Sequence, residues 1–69
     1  MTELALLVNG EAHRVPGPAT VKDLLDRLGL DGRGVVVEVN RRIVRRPEHT
    51  ATPLQDGDAV ELVHFVGGG

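Results

Sequence analysis

Residues 20–29 have the sequence TVKDLLDRLG, which combines the start, the face and the end of one short amphipathic helix. Thr20 is a favourable N-cap, and Asp23 three places later resembles the second member of a capping box. Gly29 is the residue type that most often ends a helix. The apolar side chains recur at the helical spacing i, i+3, i+4, i+7: Val21, Leu24, Leu25 and Leu28.

Two strands are predicted before this helix. Residues 4–9 are apolar and end in Asn9-Gly10, a dipeptide that tolerates the positive φ angles of a type I′ hairpin turn. Residues 11–15 predict a second strand with a polar face, and the sequence Pro16-Gly17-Pro18 ends it. A β-hairpin is therefore expected to precede the helix.

Three further strands are predicted after the helix. Residues 35–39 are β-branched and indicate a central strand, residues 43–44 a short one, and residues 59–66 the last one. Residues 45–53 contain two prolines and predict an irregular connecting segment, which we call the excursion. Residues 54–58 contain residue types that are typical of turns.

This order of elements predicts an α+β domain with two layers. One amphipathic helix cannot bury its own apolar face, and a sheet has an apolar face to cover, so the helix is expected to lie across a mixed sheet. With 69 residues and a mass of 7.4 kDa, the chain has room for one domain. We assign residues 1–66 to it and residues 67–69 to a flexible C-terminal tail.

The composition argues against several classes of function. Eight basic against ten acidic residues give a net charge of −2, which disfavours a nucleic-acid binder. The chain has no cysteine, so disulfides and thiolate chemistry are excluded. No apolar run approaches the length of a membrane span, and no secretory signal is recognisable at the N-terminus. We expect a soluble cytoplasmic protein.

The titratable side chains do not form a recognisable catalytic or metal-binding motif. His13, His49 and His64 lie far apart in the sequence, so we expect ordinary surface or boundary histidines and no metal site. Asp56 and Asp58 lie in turn chemistry, where aspartates bond nearby backbone.

The main charge cluster consists of Arg41, Arg42, Arg45 and Arg46. Two interpretations stay open: a solvated basic surface that blunts a sheet edge, and a docking patch for an acidic partner.

The last strand predicts an exposed apolar patch. If Val60 faces the helix, the alternation of a strand turns Val63 and Phe65 outwards. Phe65 is the only aromatic residue of the chain, and an exposed apolar patch favours a partner surface. The alternative is that residues 45–53 fold over these two side chains.

The sequence ends in Gly67-Gly68-Gly69. Such a tail is either a frayed end or a functional segment. Three residues without side chains extend at most about 10 Å, enough to thread a narrow channel. They would present a carboxylate with no Cβ to hinder attack. Because a carboxylate reacts with nucleophiles only after activation, for which adenylation by ATP is the usual route, the functional interpretation makes the tail a substrate of another enzyme.

Taken together, these motifs resemble the ThiS-type sulfur carriers of thiamin biosynthesis, a family with the ubiquitin-like β-grasp fold. The resemblance spans essentially the whole chain. It rests on Val8-Asn9-Gly10-Glu11, Thr20-Val-Lys-Asp-Leu-Leu, Val39-Asn40-Arg41-Arg42-Ile43-Val44, Thr52-Pro53-Leu54-Gln55-Asp56-Gly57-Asp58 and Val66-Gly67-Gly68-Gly69.

The resemblance implies a carrier that supplies no catalytic side chain and binds no cofactor itself. A ThiF-type adenylating enzyme, related to the ubiquitin-activating class, would consume ATP to adenylate the carboxylate of Gly69. Sulfur from a cysteine desulfurase or another donor would convert it to a thiocarboxylate, and a ThiG-type thiazole synthase would take the sulfur. Gly67 and Gly68 would thread into partner active sites. The candidate docking residues are Val63, Phe65, Arg41 and Arg42.

Four alternatives remain open at this stage. Two are sulfur carriers for tRNA thiolation or molybdopterin synthesis. Another is a ubiquitin-like modifier that Gly69 joins to lysines through an isopeptide bond. The last is a β-grasp interaction module with an idle tail.

Overall fold

The computed structural model describes residues 2–65. The predicted tail, residues 67–69, lies outside the described residues, as does Val66. The elements in chain order are β1 (Glu3–Val8), β2 (Glu11–Pro16), α1 (Val21–Arg27), β3 (Val35–Val39), β4 (Arg42–Val44), a 3₁₀ turn (Arg46–Glu48) and β5 (Ala59–His64). The predicted order of strands and helix is confirmed, with strand ends that differ by one or two residues.

The five strands form one mixed sheet in the order β2-β1-β5-β3-β4. Strands β1 and β5 run parallel, and the other neighbouring pairs are antiparallel. The last strand therefore lies in the middle of the sheet, between a hairpin on either side. A mixed sheet of this order with one helix packed on it is the ubiquitin-like β-grasp fold.

The core lies between α1 and one face of the sheet. The helix contributes Val21, Leu24 and Leu25, all fully buried. They pack against alternate residues of the strands, among them Leu6 of β1 and Val37 of β3. Each fully buried leucine or valine stabilises the fold by about 1.5–3 kcal/mol, so a few side chains supply much of the stability of so short a chain.

Both ends of α1 are closed as the sequence predicts. The Thr20 hydroxyl accepts a hydrogen bond from the Asp23 amide at 3.2 Å, and the Asp23 carboxylate accepts from the Thr20 amide at 2.8 Å. At the other end Gly29 adopts a φ of +73°, and the Leu30 amide donates to the Leu25 carbonyl at 2.8 Å. This pattern is a Schellman motif, which satisfies carbonyl groups that the helix leaves open.

The excursion at residues 45–53 covers the start of α1 rather than the outer face of the sheet. Its carbonyl groups accept the first two free amides of the helix: Val21 donates to Thr52, and Lys22 donates to His49, both at 3.0 Å. Helix N-termini always need such acceptors, which explains why an irregular segment is held in place here.

The expectation of a surface or boundary histidine is wrong for His49. Only 3% of this residue is exposed, because the path of the excursion places its ring in the interior of the domain. Ring atom Nε2 lies 3.3 Å from the Val44 carbonyl oxygen, which gives the buried ring a polar partner. For His13, which is partly buried, and His64, which is exposed, the expectation is confirmed.

Candidate functional site at the end of the last strand

The outward orientation of Val63 and Phe65 is confirmed. Val63 is 49% exposed and Phe65 is 58% exposed, while Val60 on the same strand is fully buried against the helix. Since the 45–53 excursion lies over the start of α1, the alternative that it covers these two side chains is wrong. The apolar patch is open to solvent within the described part of the chain.

The sheet register extends this patch across neighbouring strands. Val36 of β3 lies directly opposite Val63 of β5, so the two side chains stand on the same face. Leu7 of β1 pairs with Ala59 and is 49% exposed on that face. We call the outward residues Val36, Val63 and Phe65 the tail-end patch, because they lie where β5 leaves the sheet.

Two carboxylates border the tail-end patch, and sequence reasoning did not find them. Glu38 and Glu61 are direct cross-strand partners. Each lies two residues along its strand from Val36 or Val63, and therefore on the same outer face. Like charges directly opposite one another are unfavourable in a sheet, so this pair adds nothing to stability through its mutual contact. It makes one border of the apolar patch negative.

Strand β5 is held from both sides by asparagines of the hairpin turns. Asn9 donates from Nδ2 to the Leu62 carbonyl at 3.2 Å and accepts at Oδ1 from the Leu62 amide at 2.8 Å. Asn40 accepts at Oδ1 from the Ala59 amide at 3.0 Å and donates from Nδ2 to Asp58 at 2.9 Å. These side chains continue the sheet ladders beyond the ends of β1 and β3.

The turn before β5 explains the carboxylates that the sequence assigns to turn chemistry. Asp56 accepts from the Ala5 amide at 2.7 Å, and Asp58 accepts from the Gln55 amide at 2.8 Å. Asp58 bonds backbone within its own turn, which confirms the interpretation for this residue, whereas Asp56 bonds the distant backbone of β1, which the sequence did not predict.

The end of β5 is fixed as far as Phe65. The Phe65 amide donates to the Gly34 carbonyl at 2.7 Å, one step beyond the Val35–His64 pair. Gly34 has a φ of +70°, and a Cβ at this position would lie 3.4 Å from the Phe65 carbonyl oxygen. A glycine is therefore favoured where the loop before β3 meets the last described residue.

The structure does not bring the predicted arginines to the tail-end patch. Arg41 belongs to the turn between β3 and β4, and Arg42 begins β4. Val36 lies near the tail end of β3, and the three residues from there to Val39 already span about 10 Å before the turn begins. The two arginines are exposed and form a separate surface.

The predicted modification site and threading residues, Gly69, Gly67 and Gly68, lie outside the described residues. Within residues 2–65, no group of three or more His, Cys, Asp or Glu side chains could hold a metal ion. The described part of the chain also contains no helix that is long and apolar enough to cross a membrane.

Two neighbouring ionisable groups among the described residues, Asp31 and Arg33, have clearly displaced pKa values, and both lie in the loop before β3. Hydrogen bonds from the side chain and the amide of Arg33 lower the pKa of the Asp31 carboxyl from 3.8 to about 2. Both residues are exposed and form a local ion pair at 3.0 Å. All of these contacts join residues two positions apart, so the displaced pKa values have a local cause.

Comparison with known proteins places this geometry in a family. The chain is 42% identical over 50 residues to the sulfur carrier protein ThiS of Bacillus subtilis, a match that covers 72% of this chain and 76% of that protein. A crystal structure of the thiamine biosynthesis protein ThiS from Geobacter metallireducens superposes with a TM-score of 0.79. It is 39% identical in sequence, and the match covers 96% of this chain and all of that one.

A longer relative contains the same sequence as one part. The thiazole synthase of Paramagnetospirillum magneticum is 41% identical over 66 residues, which cover 96% of this chain but only 20% of that protein. The chain thus spans about a fifth of this relative's length. The ThiS family pattern itself matches residues 6–69, a range that runs from the second half of β1 through the helix and β5 to all three final glycines. The chain belongs to the ThiS family.

Proposed function

We propose that this protein is a sulfur carrier of thiamin biosynthesis whose Gly69 carboxyl group carries the sulfur. The observation that carries the proposal is the extent of the family match, which runs through residue 69. The described residues agree with a carrier role, since two of the exposed large apolar side chains, Val63 and Phe65, lie at the end of β5 directly before the tail.

The proposed chemistry belongs to partner enzymes in the cytoplasm. An adenylating enzyme joins the Gly69 carboxylate to the α-phosphate of ATP and releases pyrophosphate. Sulfide then displaces AMP and leaves a thiocarboxylate. A desulfurase persulfide supplies this sulfide when a reducing thiol attacks it and the two thiol sulfurs end as a disulfide, or another donor supplies it directly. A thiazole synthase accepts that sulfur. In this scheme the chain provides reach, an unhindered carbonyl carbon and recognition, and it is a substrate rather than an enzyme.

We further propose that the tail-end patch is the docking surface for these partners. A few well-packed side chains at the centre of a contact supply most of the binding free energy of an interface, and aromatic residues are enriched there. Phe65 and Val63 lie directly before Val66 and the glycines, so a partner that covers them holds its own catalytic centre close to Gly69. The Glu38–Glu61 pair on the border favours a partner with a basic group at that position.

The decisive experiment is reconstitution followed by intact mass measurement. The chain is mixed with an adenylating enzyme of the ThiS pathway, ATP and sulfide, and the enzyme is first verified with its own carrier. We expect the mass to rise by the difference between one sulfur and one oxygen, with the change located on Gly69 by fragmentation. An unchanged mass would refute the proposal, and higher-mass conjugates to lysine would identify a protein modifier instead.

Matched variants test the docking surface. Val63 and Leu7 are equally exposed, at 49% each, but Leu7 pairs with Ala59, four residues from Val63 along β5. We expect Phe65→Ala and Val63→Ala to raise the carrier concentration for half-maximal adenylation by about tenfold, the range of interface hot spots. Leu7→Ala is expected to leave it unchanged. Equal effects of all three variants would refute a docking surface confined to the tail end.

A further inference from the structure

The edge strand β4 leaves one residue with open backbone groups. Asn40 and Arg41 have φ angles of +51° and +70°, and they connect the paired residues Val39 and Arg42. In a two-residue hairpin of this kind the closing pair exchanges hydrogen bonds, and the next pair does not. The N–H and C=O of Ile43 therefore point away from β3. Among residues 2–65, no hydrogen bond outside the strand ladders uses either group.

The side chains around this open position are basic and apolar. The strand is surrounded by four exposed arginines, at positions 41, 42, 45 and 46. Within residues 2–65 the salt bridges involve other basic residues, Arg14, Lys22 and Arg33. Ile43 itself is 64% exposed. The strand edge thus combines half of the chain's eight lysines and arginines with its most exposed large apolar side chain in the described residues.

Glu38 lies directly opposite Ile43 in the β3–β4 ladder. Two other carboxylates close to this edge already have partners. Glu48 accepts from the Arg45 amide at 3.0 Å, and Asp58 accepts from Asn40 and from the Gln55 amide. Within residues 2–65 the four arginines form no salt bridge, so acidic side chains of an incoming segment can pair with them.

We propose that the β4 edge, defined as residues 41–46, binds an extended acidic segment of a partner protein. The segment pairs its backbone with the N–H and C=O of Ile43, as strands that add to a sheet edge do. Its acidic side chains face the arginines, and an apolar side chain covers Ile43. Because β4 is short, the backbone contributes two hydrogen bonds and the charges contribute most of the specificity.

The charges select this occupant over two others. A second copy of the chain paired edge to edge would bring eight arginines together, which is unfavourable. A nucleic acid would satisfy the arginines through its phosphates, but it would leave the Ile43 strand contact unused. The β4 edge is the neighbour of β3, and Glu38 lies opposite both Ile43 of β4 and Glu61 of β5. The proposal rests on the arginines and on the backbone groups of Ile43, so it does not depend on the sulfur chemistry.

The test is a titration of the ¹⁵N-labelled chain with a capped heptapeptide that alternates glutamate with threonine. We expect amide shift changes concentrated on residues 41–46 and slower hydrogen exchange at the Ile43 amide. The double variant Arg42→Ala with Arg45→Ala is expected to weaken binding by about tenfold. The control, Arg14→Ala with Arg27→Ala, removes the same charge from exposed sites elsewhere and is expected to leave the affinity within about twofold.

Four outcomes would overturn the proposal. The first is an absence of saturable shift changes at residues 41–46, and the second is equal binding of a peptide with lysine in place of glutamate. The third is equal weakening by both double variants, which would indicate general charge attraction. The fourth is displacement of the peptide by a thymidine oligonucleotide that shifts the same amides at lower concentration. In a synthetic chain, N-methylation at Ile43 removes one outward-pointing N–H donor. We expect this chain to bind the heptapeptide more weakly than the unmethylated chain.

Discussion

Replacing Asn9 by glycine isolates the side-chain bonds that hold β5 in the sheet. Asn9 makes two hydrogen bonds to the backbone of Leu62, at 2.8 and 3.2 Å, and its own φ is +50°. Glycine adopts a positive φ without strain. The substitution therefore deletes both bonds while it leaves the turn conformation accessible, whereas alanine would add backbone strain to the measurement.

The size of the effect follows from these two bonds. One intramolecular hydrogen bond contributes about 0.5–1.5 kcal/mol net, so the loss of both lowers the free energy of unfolding by about 2 kcal/mol. For a domain of this length each kcal/mol moves Tm by about 4–8 °C. We expect Asn9→Gly to lower Tm by about 8–16 °C.

The assay is thermal and urea unfolding followed by far-ultraviolet circular dichroism, because the chain has no tryptophan. Asn9→Asp is the matched control: the carboxylate still accepts from the Leu62 amide, but it cannot donate to the Leu62 carbonyl. Its loss of stability should fall between the parent and Asn9→Gly. Hydrogen exchange at the Leu62 amide should quicken in Asn9→Gly more than exchange in α1. A Tm within about 2 °C of the parent would refute the reasoning, since it corresponds to less than half a kcal/mol.

The remaining predictions concern the loop before β3 and the core. Arg33→Gln should return the pKa of Asp31 from about 2 towards 3.8, as measured by NMR titration of the carboxyl. Because the folded-state pKa is the lower one, the pair stabilises the fold above pH 3.8, and this contribution is lost as the pH falls towards 2. Leu25→Ala should lower the free energy of unfolding, measured in urea, by about 2–5 kcal/mol. A smaller decrease would mean that neighbouring side chains fill the cavity. Gly34→Ala should lower the free energy of unfolding by about 1–2 kcal/mol because of the positive φ at this position. It should also speed hydrogen exchange at the Phe65 amide, and unchanged exchange would contradict the role of the Phe65–Gly34 hydrogen bond.

The features that the sequence predicts correctly are local. The capping box of Thr20 with Asp23, the glycine stop at residue 29 and the Asn9-Gly10 turn each depend on residues within one turn of chain. The capping side chains bond neighbouring backbone, and the turn and stop residues adopt positive φ angles, so the residue types alone indicate the conformation. The outward orientation of Phe65 follows in the same way from the alternation of one strand.

The features that the sequence does not predict depend on which strands become neighbours. Nothing in residues 59–64 indicates that β5 lies in the middle of the sheet, and Glu38 faces Glu61 only because of the register between β3 and β5. His49 is buried because its segment caps α1, a contact that depends on the return path of residues 45–53. Asn9 indicates a turn, but its side-chain hydrogen bonds to Leu62 can be predicted only when β1 and β5 are known to be neighbours.

The central position of β5 explains why so many polar contacts gather around it. Asn40 and the turn at residues 55–58 fix where this strand begins, and Asn9 bonds its middle at Leu62. The Phe65–Gly34 bond fixes where it leaves the sheet. A partner that recognises the tail-end patch therefore finds residue 65 already in place, which reduces the ordering cost of binding. The four residues beyond it reach at most about 14 Å. If Gly69 carries the sulfur, the adenylating centre of the partner must lie within that distance of Phe65. The docking contact has already positioned this centre, so an insertion between Phe65 and Gly69 would misalign the carboxylate with it.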